Sequence, residues 1–420
     1  MGSVFKAFKI RIYPNQAQET LILKSIGCAR FTYNYLLAER IEVYKKLKDD
    51  KRALYEYKYK DEVSLKKEFE WMSEVSKFAI QSARRDLSTS FQNFFNSLKG
   101  LRKGEKVGFP QFHRKGQNDS YREYITNNNI TVDFQTRTVK LPKLGKIKFR
   151  DSRIFFEGKI KQATVSRTKT GKYFVSVLYE QDLDLEGVEV RDGMKVIGLD
   201  MSLQKFYVDN LGNSPDYQKP YRSNQKKLSH YQRKLSKKQK GSKNREKARL
   251  KVAKVHEKIV NSRSDFVHKL STKLVKENDV IVVENLSLKG MSQALKLGKS
   301  VMDLGYSEFV RQLQYKALWN NKTFLKADKW FASSKTCNFC GFVNKDLLLQ
   351  ERVWECPNCH EIHNRDTNAG TNLKNYGLKE LGLVQPKIKP VESSDLLTES
   401  KESVKVQTVK QEAFGSLDRR

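Results

Sequence analysis

A chain of 420 residues carrying 81 Lys and Arg against 48 Asp and Glu has a formal charge of +33 and a pI near 9.8, a field that draws in any polyanion. At 38% hydrophobic and 11% aromatic it can still bury several cores, which excludes a disordered basic tail and points to two to four folded domains. No apolar run approaches the ~20 residues of a membrane helix and Met1 to Arg11 lacks an apolar signal core, so a soluble intracellular protein acting on nucleic acid is expected.

The first segment, Phe5 to Tyr13, alternates apolar and basic residues and stops at Pro14-Asn15, which predicts a half-buried strand. From Gln16 to about Leu98 the apolar spacing turns helical, with Leu21, Ile22, Ile26, Ala29, Tyr33 and Leu37 on one stripe. Cys28 falls within that stripe and reads as a small buried hydrophobe. Phe91, Phe94 and Phe95 read as core rather than as base-stacking platforms. The period returns to two in Asn129 to Asp133, Thr138 to Leu141, Ala163 to Ser166 and Tyr173 to Tyr179, with turn formers such as Lys169-Thr-Gly-Lys172 between runs. A strand, a helical block and then several strands predict a small β-barrel, residues 1–15 and 105–190, interrupted by a helical insertion over 16–104.

A second domain is expected to begin near Val196-Ile-Gly-Leu-Asp200, an apolar strand ending in an acid. Between Arg222 and Lys258 there are fifteen Lys or Arg and two acids, denser than a solvated face requires, so a helical pair tracking phosphates is expected, with Lys237, Lys238, Lys243 and Arg245 among its contacts. Asp279 to Glu284 is a second buried strand ending in an acid. A helix over Tyr306 to Trp319 and a strand over Thr323 to Trp330 follow.

Cys337-Asn-Phe-Cys340 and Cys356-Pro-Asn-Cys359 are separated by fifteen residues. Paired thiolates at this spacing suit one tetrahedral Zn²⁺ in a ribbon over 331–360, and a reducing compartment argues against two disulfides. With four cysteines satisfying zinc, His360 and His363 read as surface or phosphate-facing residues. A helix from about Asp366 to Tyr376 closes the second domain, 191–330 and 361–385. The tail, 386–420, carries seven basic and six acidic residues without period and is expected to be disordered.

Asp200 and Glu284 end strands and Asp366 opens a helix. An acid at any one such place is commonly a cap or a turn residue. Parallel neighbouring strands, however, would bring Asp200 and Glu284 to one sheet edge, where three converging carboxylates favour a bound cation, and a pair of Mg²⁺ ions suits phosphodiester hydrolysis.

Together, Val196-Ile-Gly-Leu-Asp200, Ile281-Val-Val-Glu284-Asn285-Leu286, Ser334-Lys335-Thr336-Cys337 and Asn364-Arg365-Asp366-Thr-Asn368-Ala369 resemble the TnpB family of insertion-sequence proteins, relatives of compact type V CRISPR effectors. The resemblance extends upstream through Tyr13-Pro14, Gln18, Gly27-Cys28-Ala29-Arg30, Tyr33-Asn34 and Gly108-Phe109-Pro110, and covers about residues 4 to 380. It implies a multidomain α+β and α/β architecture: a wedge-like β-barrel with a helical recognition insertion, an RNase H-like RuvC domain and an inserted zinc ribbon. It further implies cleavage of double-stranded target DNA guided by an RNA from the element's end, in a bacterial or archaeal cytoplasm at the nucleoid. By the same resemblance Lys77 and Gln81, four apart on one helix, would read the short motif flanking the target, against the plainer reading of an exposed polar face. The chain departs from the family at Met201-Ser202-Leu203, where a Gly-Leu pair is common, and at Asn364, where an acid is common, neither of which replaces Asp200, Glu284 or Asp366. An RNA-guided regulator without cleavage, a guide-independent zinc-ribbon DNA binder and an end-joining transposase are the competing functions.

Overall fold

The computed structural model describes residues 2–102, 104–150, 158–183, 193–287, 290–291, 293, 298–348 and 350–383. The chain begins in the middle of its largest sheet. Strand β1 (Gly2–Tyr13) runs antiparallel to β7 (Tyr173–Leu183), with Gly2 opposite Leu183 and Ile12 opposite Tyr173, and its far end also pairs with β5 (Gly145–Phe149). With β2 (Ser120–Tyr124), β3 (Thr131–Asp133), β4 (Thr138–Leu141) and β6 (Lys159–Arg167) they form a seven-stranded sheet in the order β2-β6-β7-β1-β5-β4-β3. Period-two patterning decides which face is buried: Ile10, Ile12, Val175 and Val177 point inward while Lys9 and Arg11 do not.

The helical block packs on that face. Helix α1 (Gln16–Leu47) starts at Asn15, whose side chain accepts from the Gln18 N–H at 2.9 Å while Gln18 Oε1 accepts from the Asn15 N–H at 3.0 Å. Short helices α2 (Lys51–Glu56) and α3 (Glu62–Glu68) lead to α4 (Lys77–Leu98), capped by Ser76. Ile22, Ile26, Leu37, Ile80 and Leu87 share one core with Val139, Ile147, Val165 and Val177 of the sheet. Among the described residues β2 and β3 are not hydrogen-bonded to each other, so the barrel expected from the strand pattern is here an open sheet, its apolar face covered by helices instead of by strand closure. The strand expected from Asn129 starts only at Thr131, because Asn127 and Asn128 take left-handed φ of 48° and 53° in the preceding turn.

The second unit is built on a four-stranded sheet in the order β11-β10-β8-β9, formed by β8 (Val196–Ser202), β9 (Phe206–Asp209), β10 (Val280–Val283) and β11 (Thr323–Lys326). β10 lies between two parallel neighbours and all four of its residues are buried, as a strand covered on both faces must be. Helices α6 (Lys243–Glu277) and α8 (Tyr306–Trp319) cover one face, joining Leu274, Phe309 and Leu313 to Leu199, Ile281 and Val283. Helix α9 (Arg365–Glu380) covers the other through Leu373 against Val196, Val280 and Val282. β11 stops short of the expected Trp330, since the Asp328 carboxylate accepts from the Trp330 N–H at 2.8 Å and turns the chain.

Helix α5 (Pro220–Ser236) pairs with the first half of α6 through Leu228, Val255 and Ile259, and helix α7 (Gly298–Leu304) precedes α8. The two units are joined where Glu257 of α6 accepts from Thr170 Oγ1 at 3.0 Å and Lys172 Nζ at 2.9 Å in the β6–β7 turn. β12 (Val353–Glu355) and β13 (Ile362–Asn364) form a separate small hairpin. Among the described residues no helix is long and apolar enough to cross a membrane. The expected disordered tail, 386–420, lies outside the described residues.

Candidate active site and zinc ribbon

Leu199 and Val283 are partners in the parallel β8–β10 ladder, so the next residues, Asp200 and Glu284, stand side by side on adjacent strands. β8 continues past Asp200 to Ser202 by pairing with β9, which sets Asp200 within the strand rather than at its end. The third acid arrives on α9. That helix lies against the backbone of β8: a Cβ on Gly198 would fall 2.1 Å from the Gly370 carbonyl oxygen, and one on Gly370 would fall 2.7 Å from the Asp209 carbonyl carbon. Gly198 on β8, facing the helix backbone, and Gly370 on the helix, facing the end of β9, allow this approach. Asn364 caps α9, its Oδ1 accepting from the N–H groups of Asp366 and Thr367, and so sets the first-turn position of Asp366.

Desolvation dominates the electrostatics of Asp200 and Glu284, which are half-buried. Burial, then the charge of Glu284, then that of Asp366 and a hydrogen bond with Glu284, raise the Asp200 carboxyl well above the usual range. Glu284 is raised too, by burial, with partial relief from hydrogen bonds to Ser333 and Asp200 and from the charge of Arg365. Asp366 meets a cation directly, its Oδ1 lying 2.7 Å from Arg352 Nη1. Beside the acids the Tyr306 hydroxyl donates to the carbonyls of Ser202 and Phe206, the latter at 2.7 Å. A cleft there is lined by Glu284, Asn285, Tyr306, Arg311, Gln314 and Lys326. Asp200, Glu284 and Asp366 supply oxygen donors of the kind that suits hard divalent ions such as Mg²⁺, and with Asp366 drawn to Arg352 the three are not gathered within reach of a single ion.

The four thiols converge as their spacing predicts: the sulfurs of Cys337, Cys340, Cys356 and Cys359 lie within 4.8 Å of one another, the one group of three or more ligating side chains among the described residues close enough to hold a single ion. Each knuckle turns through a left-handed residue, Gly341 (φ 79°) after Cys340 and His360 (φ 59°) after Cys359. The turns are closed by Gly341 N–H to the Cys337 carbonyl and His360 N–H to the Cys356 carbonyl, both at 2.9 Å. Four such sulfurs fit Zn²⁺. His363 is not a surface residue. It is buried against Trp354 with Nε2 3.0 Å from Cys337 Sγ, because β13 turns it inward under the thiols, and burial lowers its pKa. His360 is exposed, as expected, and meets Glu355.

A family model described as "Probable transposase" (OrfB_IS605) matches residues 174–295, one for the Cas12f1-like TNB domain matches 306–373, and one described as a helix-turn-helix domain matches 1–49. The chain is 33% identical over 386 residues, 90% of each chain, to a "Putative RNA-guided DNA endonuclease" of Streptomyces pristinaespiralis. The chain belongs to the TnpB family. The TnpB protein InsQ of Escherichia coli K12, described in the same words, is 29% identical over 387 residues, 88% of this chain and 91% of that one. Among solved structures, a cryo-EM structure of a Cas12f1-sgRNA-target DNA complex shares the fold at a TM-score of 0.50 and 14% identity, over 89% of this chain and 99% of that one. The residues matched as helix-turn-helix are here strand β1 and one uninterrupted 32-residue helix.

The remaining candidates of this TnpB chain lie on cationic surfaces. Lys237, Lys238 and Lys243 are exposed around the α5–α6 junction. Arg245 differs from them: its Nη1 donates to the carbonyls of Leu235 at 3.1 Å and Lys238 at 2.7 Å, so its guanidinium closes the end of α5. Lys77 is exposed and Gln81 half-buried on the first turns of α4, apart from the acids. Cys28 is fully buried, its thiol raised by that burial to about 11. Phe91 and Phe94 pack around Phe109 at 5.4 and 5.5 Å between ring centroids, whereas Phe95 is half exposed at 50%, contrary to a core assignment for all three. Sequence reasoning gave no role to Arg352, Ser333, Asn368 or Asn372. Asn368 and Ser333 lie inside or beside the family motifs, but their partners become visible only when the ribbon is folded onto α9.

Proposed function

We propose that this protein is an RNA-guided DNA endonuclease whose hydrolytic site comprises Asp200, Glu284 and Asp366. The four-stranded unit with its covering helices, 191–330 and 361–385, would be a RuvC domain of RNase H-like type. The seven-stranded sheet, 1–15 and 105–190, would be the wedge region with 16–104 as its recognition insertion, and 331–360 the zinc ribbon. The single observation that carries the reading is the placement of Asp200 beside Glu284 on parallel strands, with Asp366 delivered by the helix packed on Gly198, in a chain belonging to a family whose members are described as RNA-guided DNA endonucleases.

Chemically, Asp200, Glu284 and Asp366 would hold Mg²⁺, which would supply activation of water and neutralisation of charge on the leaving oxygen of a phosphodiester. The chain's own residues do the rest. Partial burial around Asp200 and Glu284 desolvates their charges and strengthens the electrostatic contacts made there. Arg311 and Lys326 stand at the cleft beside Glu284 and suit a DNA phosphate, while Asn285 and Gln314 offer neutral hydrogen bonds. Arg352 pairs with Asp366; a metal ion would compete for that carboxylate and a DNA phosphate for the freed guanidinium. Guide RNA and heteroduplex suit the exposed lysines of the α5–α6 hairpin, and Lys77 with Gln81 suits a base-pair edge of the flanking motif. The retained acids favour this reading over an RNA-guided regulator that does not cut.

The test is cleavage of target DNA by the purified protein with its copurifying RNA and Mg²⁺. Asp200→Ala and Glu284→Ala should abolish cleavage with RNA and target binding intact. Undiminished cleavage by Asp200→Ala would overturn the assignment.

A further inference from the structure

Ser333, the second residue after Phe331, is 4% exposed, and each of its polar groups is committed. Its N–H donates to the Phe331 carbonyl at 2.9 Å, its carbonyl accepts from Asn372 Nδ2 at 2.8 Å, and its hydroxyl donates to Glu284 Oε1 at 2.5 Å. Asn372 projects from α9, the helix that carries Asp366, and its Nδ2 also donates to the Thr336 carbonyl at 2.6 Å. One turn earlier on α9, Asn368 donates to that same carbonyl at 2.7 Å and accepts from the Asn338 N–H at 3.0 Å. Cys337 is held between these two anchored residues. An unbroken hydrogen-bonded path therefore runs from the first zinc knuckle through two buried asparagines to Ser333 and on to Glu284.

A carboxylate on a flexible glutamate side chain has several rotamers, and an ion site needs one of them. Fixing one oxygen of Glu284 by a buried hydroxyl selects that rotamer before any ion arrives. We propose that Ser333 is a positioning residue for Glu284, and that Asn372 and Asn368 tie its placement to the folded zinc ribbon, so that the ribbon sets the affinity of the carboxylate site for divalent metal. The proposal rests on the reading of Asp200, Glu284 and Asp366 as the hydrolytic site. It predicts that groups outside the ligand set control metal loading, as partners that orient ligands generally do, by 10- to 100-fold in affinity.

The experiment titrates Mg²⁺ in target-DNA cleavage by the full-length RNA-loaded protein and, separately, Mn²⁺ binding to the RNA-free protein by electron paramagnetic resonance. Wild type is compared with Ser333→Ala, Ser333→Thr and Asn372→Ala, with zinc content measured throughout. Ser333→Ala should raise the half-saturating metal concentration about 10- to 100-fold in both titrations while keeping its zinc. Ser333→Thr, which keeps the hydroxyl, should restore most of the affinity. Asn372→Ala should shift it in the same direction by less, and the Ser333→Ala/Asn372→Ala double variant should fall short of the sum. Should Ser333→Ala lose its zinc or its solubility, Asn372→Ala carries the same comparison. Unchanged half-saturation in zinc-replete Ser333→Ala would overturn the proposal and leave Ser333 a packing hydroxyl. A wild-type protein that fails to cut would overturn the nuclease reading instead, while the Mn²⁺ titration would still decide the role of Ser333.

Discussion

Glu123 sits on β2 with 1% of its surface exposed, its Oε2 accepting from the Ser76 hydroxyl at 2.7 Å and its Oε1 without a partner. Ser76 is the cap of α4, so this carboxyl lies at the seam between the helical block and the sheet. Burial raises its pKa from 4.5 to about 7, outweighing the single hydrogen bond that favours the charged form. Because the folded chain holds this proton more tightly than the unfolded one, the contribution to stability is full below pH 4.5. It declines as pH rises and is gone above about 7. A difference of about 2.5 in pKa corresponds to ~3 kcal/mol at most. Glu123→Gln keeps the shape and cannot ionise, so relative to wild type it should gain about that amount between pH 4.5 and pH 8, on top of a constant offset for its amide. Hydrogen exchange of peptides covering residues 76–98 and 120–124, compared between the two proteins at each pH, reads this locally and cancels the intrinsic pH dependence of exchange. A difference in protection that stays constant from pH 5 to pH 8 would refute the reasoning and mean that Glu123 ionises freely where it sits.

Cys337→Ser and Cys359→Ser should each lower zinc content measured by metal analysis and destabilise the ribbon, because a structural site contributes its binding energy to folding; wild-type protein free of zinc would defeat this. Gly198→Ala should place a methyl against the backbone of Gly370 and Lys374, costing roughly 1–3 kcal/mol or more and displacing Asp366, seen as a lowered melting temperature together with lost cleavage; a stable, active Gly198→Ala would show that α9 can shift freely. Neutralising Lys237, Lys238, Lys240 and Lys243, with Arg245 left in place because it closes α5, should weaken RNA binding and flatten the slope of log affinity against log salt by roughly one unit per lost phosphate contact; superimposable slopes would make these lysines a solubility feature.

Local chemistry was legible wherever a few neighbouring residues decide it. The Tyr306–Trp319 helix, the placement of Cys28 and the convergence of four thiols follow from spacing alone, and the pairing of Asp200 with Glu284 follows from two apolar runs each ending in an acid. What escaped depends on docking. His363 looked like a surface residue because no pattern within the chain says that β13 turns it under Cys337. Arg245 looked like its neighbours in a run of cations, and only the end of α5 gives it carbonyls to close. Barrel closure was expected from strand count, yet whether two edge strands meet depends on what else covers the apolar face, here α1 and α4.

The position of β1 in the middle of its sheet carries a cost that arises during synthesis. Its main partner β7 ends at Leu183, so β1 must wait for the last strand of its lobe, roughly ten to forty seconds at about 5–20 residues per second. During that wait Phe8, Ile10 and Ile12 form an unpaired apolar ribbon, the kind of segment that seeds aggregation. Lys6, Lys9 and Arg11 interrupt it with like charges, which discourages two nascent chains from pairing through this strand. The helices α1 to α4, local in sequence, can form meanwhile and offer β1 an apolar surface before β7 exists. The same alternation that seats β1 in the finished sheet thus also keeps it soluble while it is alone.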